Sequence, residues 1–167
     1  MRAALGFSIH TGWAAVVALS DAAEVLARRR IELADRDSRF VYHAAAEAAG
    51  AVRRIGEAEQ TARRRAEEAL RDLVREHAIT TAALPRTKGP LPALEAILGS
   101  HPLLHKAEGE LYRGAVEEAC RALGLAVVTP VPDPPRVGKM GPPWGKDQKD
   151  AAALAWAALR AGSERRG

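Results

Sequence analysis

The chain has little of what usually makes a protein's chemistry legible. A single cysteine, Cys120, among 167 residues rules out an intramolecular disulfide and any paired-cysteine metal knuckle. Aromatic residues are only 4% of the chain while hydrophobic residues are 47%. Alanine therefore carries much of the apolar content, which predicts close-packed helices with small side chains. No apolar run approaches the length of a membrane span. The start, Met1-Arg-Ala-Ala-Leu-Gly-Phe, turns polar too early for a secretory leader, and the expectation is a cytoplasmic protein without a membrane partner. A strong charge of one sign is also lacking. The net charge of +4 permits a nucleic-acid partner without requiring one, since Arg28-Arg29-Arg30 and Arg63-Arg64-Arg65 are explained about as well by solvated faces. The length suits one domain, expected over 1–162 with a frayed tail over 163–167.

What is present concentrates in Ser100-His-Pro-Leu-Leu-His-Lys-Ala-Glu-Gly-Glu-Leu-Tyr-Arg113. On a helix of roughly 100° per residue, His101, His105, Glu108 and Tyr112 fall within an arc of about 60°. Leu104, Leu111, Ala115, Val116 and Ala119 share or border that arc, so it faces the core and its first turns are polar. Burying such groups unpaired costs kilocalories, which implies partners. His101 and His105, spaced i, i+4, are able to share one metal with Glu108 as a third ligand; a hydrogen-bonded structural cluster accounts for the same pattern. Glu110 and Arg113 are expected to pair at i, i+3 on the outer side, Tyr112 to be core, and Tyr42 and His43 to be packing residues.

Around this segment the pattern predicts strands over Ala3–Ile9 and Trp13–Leu19 joined by His10-Thr11-Gly12, and an edge strand over Glu24–Leu33. A long helix capped by Asp37 or Ser38 runs to about His77, kinked or divided in two by Gly50 and Gly56. A fourth strand at Ile79–Leu84, a helical turn at Leu94–Leu98, the helix from Ser100 to Leu123 and a fifth strand at Leu125–Thr129 follow. A Pro/Gly-rich loop from Pro130 to Lys146 leads to a last helix over Asp147–Ala161. The Ala-rich face of the long helix offers a homodimer surface.

Strand-strand-strand-helix-strand-helix-strand-helix is the order of the ribonuclease H-like fold: an α/β architecture with a five-stranded mixed sheet, its first three strands antiparallel, and helices on both faces. Leu5-Gly-Phe-Ser-Ile-His-Thr-Gly-Trp and Asp147-Gln-Lys-Asp150-Ala-Ala-Ala-Leu-Ala resemble the first turn and the last helix of the Holliday-junction resolvase (RuvC-like) branch of that superfamily. The resemblance implies two divalent ions, magnesium or manganese, held between carboxylates of the first strand, the fourth strand and the last helix. The chain departs from that set twice. Ser8 stands where the first-strand Asp is expected, with His10 on the same sheet face, and Ile79-Thr-Thr-Ala-Ala-Leu84 has no carboxylate.

The resemblance brings Asp147, Asp150, Ser8 and His10 to one rim, and His105 and Glu108 are expected to complete that cleft. Asp147, Asp150, Glu108 and His105 are thus the candidate catalytic groups, with Asp150 and Glu108 the candidate metal ligands. Ser8, His10, His101, Lys146, Lys149 and Trp144 are candidate binding residues. Simple capping by Asp147 with Asp150 at N3, a solvated loop for Lys146 and Lys149, and an anchoring role for Trp144 explain the same residues without chemistry. Three functions follow. The first is a nucleic-acid or nucleotide binding domain with lost or altered metal-dependent nuclease chemistry. The second is an active metal-dependent hydrolase built on a His/Glu/Asp cluster. The third is a translation-related binding domain, since Asp37-Ser-Arg-Phe-Val-Tyr-His resembles the start of the long helix in the release-factor middle domain, although the Gly-Gly-Gln loop is missing.

Overall fold

A computed structural model describes residues 1–164. The strands β1 (Ala3–His10), β2 (Trp13–Ser20) and β3 (Val25–Glu32) form an antiparallel meander, and β4 (Thr81–Ala83) and β5 (Ala126–Val128) extend it in parallel. The sheet order is β3-β2-β1-β4-β5. Its helices are α1 (Val41–Ala46), α2 (Ala51–Glu76), the short α3 (Leu94–Leu98), α4 (His101–Ala122) and α5 (Lys146–Glu164). Among the described residues no helix is long and apolar enough to cross a membrane.

Strand alternation divides the molecule into two layers. Ala3, Leu5 and Phe7 of β1 point into the main core beneath α1, α2 and α4, together with Ala62, Ala66, Leu70, Leu111 and Tyr112. Ala4 of the same strand points the other way, against Ala155 and Leu159 of α5. At Gly6 the approach is backbone to backbone: a Cβ there would lie 1.8 Å from the carbonyl oxygen of Ala151. Glycine and the Ala-rich face of α5 are therefore one device for seating a helix directly on the central strand.

Several local expectations change. The long helical segment divides at Gly50, whose φ of +77° suits glycine, while Gly56 lies inside α2 without interrupting it. Neither Asp37 nor Ser38 caps a long helix; both belong to a single 3-10 turn, where the Ser38 hydroxyl donates to the Asp35 carbonyl at 3.3 Å, and α1 opens after Phe40. Ala62 and Ala66 of the Ala-rich face of α2 are fully buried inside the domain. Arg113 does not pair with Glu110. It is buried and donates to Glu117 and to the Pro85 carbonyl, each at 2.7 Å, while Glu110 accepts from the Lys88 amide at 2.8 Å. Helix α5 continues through Ser163, whose hydroxyl donates to the Leu159 carbonyl at 3.2 Å and accepts from Arg2. The expected tail is therefore helical at 163–164, and 165–167 lie outside the described residues.

Candidate functional site

The end of β1 and the start of α5 meet on the α5 side of the sheet. Ser8 and His10 share that face because they are two residues apart on a strand, and Asp147 enters from the first turn of the helix that Gly6 seats. The Asp147 Oδ1 atom lies 2.9 Å from Ser8 Oγ and 2.6 Å from His10 Nε2, and Ser8 Oγ is 3.3 Å from the same His10 nitrogen. One carboxylate oxygen thus gathers both partners. This is not a nucleophile–base–orienter relay, in which the serine and the acid would engage opposite imidazole nitrogens. Partial burial works against the Asp147 carboxylate, but the hydrogen bonds from His10 and Ser8 prevail and hold its pKa below the usual carboxylate value.

Asp150 is one turn further on and pairs with Lys146, an interaction that raises the lysine's pKa. It also borders a cleft of about 600 Å³ with Ser8 and Arg86. Arg86 comes from the chain just beyond β4, at the end where the resemblance implies a carboxylate. Lys149 is exposed. Trp144 packs against Val17, Ala151 and Ala152, and Arg28 donates to the carbonyls of Gly141 and Pro143 at 2.7 and 2.8 Å. The proline-rich loop is thereby pinned over the start of α5, and Trp144 is its apolar anchor.

On the other flank of His10 the side chains stack across three strands. The His10 and Trp13 rings lie parallel with centroids 4.2 Å apart, and the Arg30 guanidinium sits 3.9 Å from the Trp13 ring centroid. Because β2 lies between β1 and β3, Trp13 is flanked by His10 on one side and Arg30 on the other, which restrains both. Beyond them opens a second cleft of about 550 Å³ whose wall includes Trp13, Arg30, Arg36, Arg39 and Arg65. Arg30 pairs with Glu32 at 2.6 Å and Arg65 with Asp35 at 2.7 Å. Arg36 and Arg39 have no carboxylate partner among the described residues.

The remaining predicted residues lie elsewhere. His101, His105 and Glu108 are on α4, across the sheet from α5, so they do not complete the cleft of Ser8, His10 and Asp150 as expected. Periodicity shows that a helix face points inward, not from which side of the sheet it does so. Glu108 is fully buried, and its Oε1 accepts the His43 amide at 3.1 Å and contacts the His43 ring Nδ1 at 2.6 Å. His101 and His105 approach each other through their Nε2 atoms at 3.1 Å. His43, read from sequence as packing, therefore belongs to this cluster. The residues missed at the rim are Trp13, Arg30, Arg36, Arg39, Arg65 and Arg86. Arg30 carried a signal, an outward-pointing charge on an edge strand; the others converge only through strand register and loop placement.

No protein-family model matches the chain, and no curated protein matches it in sequence. Solved structures do match. T. thermophilus RuvC in complex with a Holliday junction substrate superposes with a TM-score of 0.56 at 12% identity, covering 98% of this chain and 96% of that one. A structure of Thermus thermophilus RuvC gives 0.54 at 12% identity, covering 98% and 97%. At such identity the likeness is one of fold, and it spans both proteins nearly end to end. The chain is an α/β protein with a ribonuclease H-like, RuvC-like architecture.

Proposed function

We propose that this chain is a nucleic-acid-binding domain that grips phosphates along the rim from Arg86 through His10 and Arg30 to Arg36 and Arg39, and that it does not hydrolyse them. The observation that carries this reading is that both acids at the rim are already paired and Arg86 borders the same cleft. Ser8 stands where the resemblance implies a first-strand carboxylate, the fourth strand has none and Arg86 follows it, Asp147 is engaged by His10 and Ser8, and Asp150 is engaged by Lys146. Two-metal phosphodiester cleavage needs carboxylates free to hold both ions. The same rim leads into a cleft with two unpaired arginines, and guanidinium groups suit phosphate oxygens. The similarity in fold to a RuvC structure containing a Holliday junction supports the choice of ligand. The hydrolase alternative has no geometric support, because His105 and Glu108 are separated from Asp147 and Asp150 by the sheet.

Fluorescence anisotropy with labelled single-stranded, duplex and four-way-junction DNA of one sequence tests the reading. Binding is expected to weaken steeply with salt, and the double variant Arg36→Ala/Arg39→Ala to reduce the log–log salt slope by about 2. Absence of binding at about 50 mM salt, or an unchanged slope in the variant, refutes the interface. Magnesium- or manganese-dependent strand cleavage that disappears in Asp150→Ala refutes the loss of nuclease chemistry.

A further inference from the structure

Three of the chain's five histidines gather on the side of the sheet away from α5. His43 comes from α1; His101 and His105 come from successive turns at the start of α4. Their ring centroids are 4.6 to 5.1 Å apart, and one nitrogen from each lies within 4.8 Å of the corresponding nitrogens of the other two. Three imidazoles around a tetrahedral ion, with bonds of about 2.0–2.1 Å, place their nitrogens about 3.3 Å apart. The His101–His105 pair is already at 3.1 Å. Both of those residues are solvent-exposed, which gives an ion a route in and leaves their side chains room to close the remaining distance.

Glu108 supplies an independent observation. It is fully buried, its Oε2 has no hydrogen-bond partner, and among the described residues its only ionisable partner is His43. A carboxylate stripped of water without a cation is costly. Its Oε1 contact fixes the His43 Nδ1–H toward Glu108 and leaves Nε2 as the donor atom for an ion, the arrangement by which an outer carboxylate orients a metal-bound histidine. Charge points the same way. The start of α4 is the positive pole of a helix dipole and is by itself a poor seat for a cation, whereas a buried carboxylate behind His43 provides the compensating charge.

We propose that His43, His101 and His105 bind a single zinc-class transition-metal dication, with Glu108 as the outer-sphere carboxylate and the fourth coordination position facing solvent. Nitrogen donors of this kind favour zinc, cobalt, nickel or copper over magnesium. The site is therefore distinct in both place and chemistry from the magnesium or manganese centre that the sequence resemblance implies. Bound there, the ion ties α1 to the first turns of α4.

The test uses the full chain without a histidine tag, stripped with a chelator, and titrated with zinc by calorimetry and with cobalt by visible absorption. One equivalent of zinc is expected to bind with a Kd at or below roughly 1 µM, with cobalt giving the absorption of a nitrogen-ligated four-coordinate ion and excess magnesium failing to compete. His101→Ala and His105→Ala, at exposed positions, are expected to weaken binding by at least about 100-fold without altering the far-ultraviolet circular dichroism. Glu108→Gln should weaken it about 10- to 100-fold and retain the 1:1 stoichiometry, and His77→Ala should change nothing. Absence of saturable zinc binding, or binding that survives both exposed-histidine substitutions, overturns the proposal and leaves a hydrogen-bonded histidine cluster. Should Glu108→Gln fail to fold, the two exposed-histidine variants still decide the matter.

Discussion

Replacing Gly6 with alanine adds one methyl group where the structure has least room for it. The new Cβ would lie 1.8 Å from the Ala151 oxygen, 2.8 Å from its carbonyl carbon and 2.9 Å from the Ala155 nitrogen. Real Cβ contacts stay beyond 3.0 Å, so α5 must retreat by at least about 1.2 Å from a central strand. A gap of 0.5–1 Å already forfeits roughly a quarter to a half of the dispersion energy across it, and here it opens beneath Ala151, Ala155 and Leu159 together. Overpacking typically costs about 1–3 kcal/mol. Because both sides are backbone and neither can rotate away, Gly6→Ala belongs at the top of that range, about 3 kcal/mol. For a domain of this size that lowers Tm by about 6–12 °C. Gly56→Ala is the matched control: it lies mid-helix in α2 with nothing within 4 Å of the added carbon, and should raise Tm by about 2–4 °C for up to about 1 kcal/mol. Circular dichroism melts of both variants are the assay. A Gly6→Ala melt within about 2 °C of the parent would refute the backbone-to-backbone seating of α5, and with it the placement of Asp147 beside Ser8 and His10.

Two further outcomes follow from the rim and its loop. The Asp147 pKa is lowered in the folded state from a reference of 3.8, so its carboxylate contributes stability that is present above that value and is lost as pH falls through the lower folded value. The difference in urea stability between the parent and Asp147→Asn should therefore be larger at pH 6 than near pH 3; an equal difference at both would show that the His10 and Ser8 hydrogen bonds are not stabilising the charge. Trp144→Ala removes the apolar anchor of the proline-rich loop. Since Trp144 is only half-buried, the cost should be about 2 kcal/mol, below the 3–5 kcal/mol of a fully buried tryptophan, and trypsin should gain access to the exposed Lys139; unchanged proteolysis would mean that the Arg28 hydrogen bonds hold the loop unaided.

The order of elements was legible in the sequence because each depends on local pattern: short apolar runs for β1 and β2, Pro85 ending the fourth strand, Gly50 dividing the long helical segment and Gly124 ending α4. Helix caps were less so, since Asp37 and Ser38 have capping chemistry but the 3-10 turn takes them. Ser8, His10 and Asp147 meet as expected, two of them through strand alternation and the third because the fold order sets α5 beside β1. His43 was not legible at all. Its role depends on α1 crossing the start of α4, a contact between segments about sixty residues apart that no local period encodes.

The polar starts of α4 and α5 show where such reading stops. In both helices the spacing placed ionisable groups on the inward face; on α4 that holds for Glu108 and Tyr112, which are buried, whereas His101 and His105 are solvent-exposed. A sheet has two sides, however, and helical period carries no information about which one a helix covers. That information lies in β1, where Leu5 and Phe7 serve the main core and Gly6 and Ser8 serve α5. The groups of α4 therefore find a histidine from α1, and those of α5 find a serine and a histidine from β1. What read as one cleft is two, one rich in imidazole and backed by a buried carboxylate, the other rich in guanidinium with its acids already paired. The close-packed sheet separates the α4 cluster from Asp147 and Asp150, so a nitrogen-ligand metal site on one side leaves the paired acids on the other undisturbed.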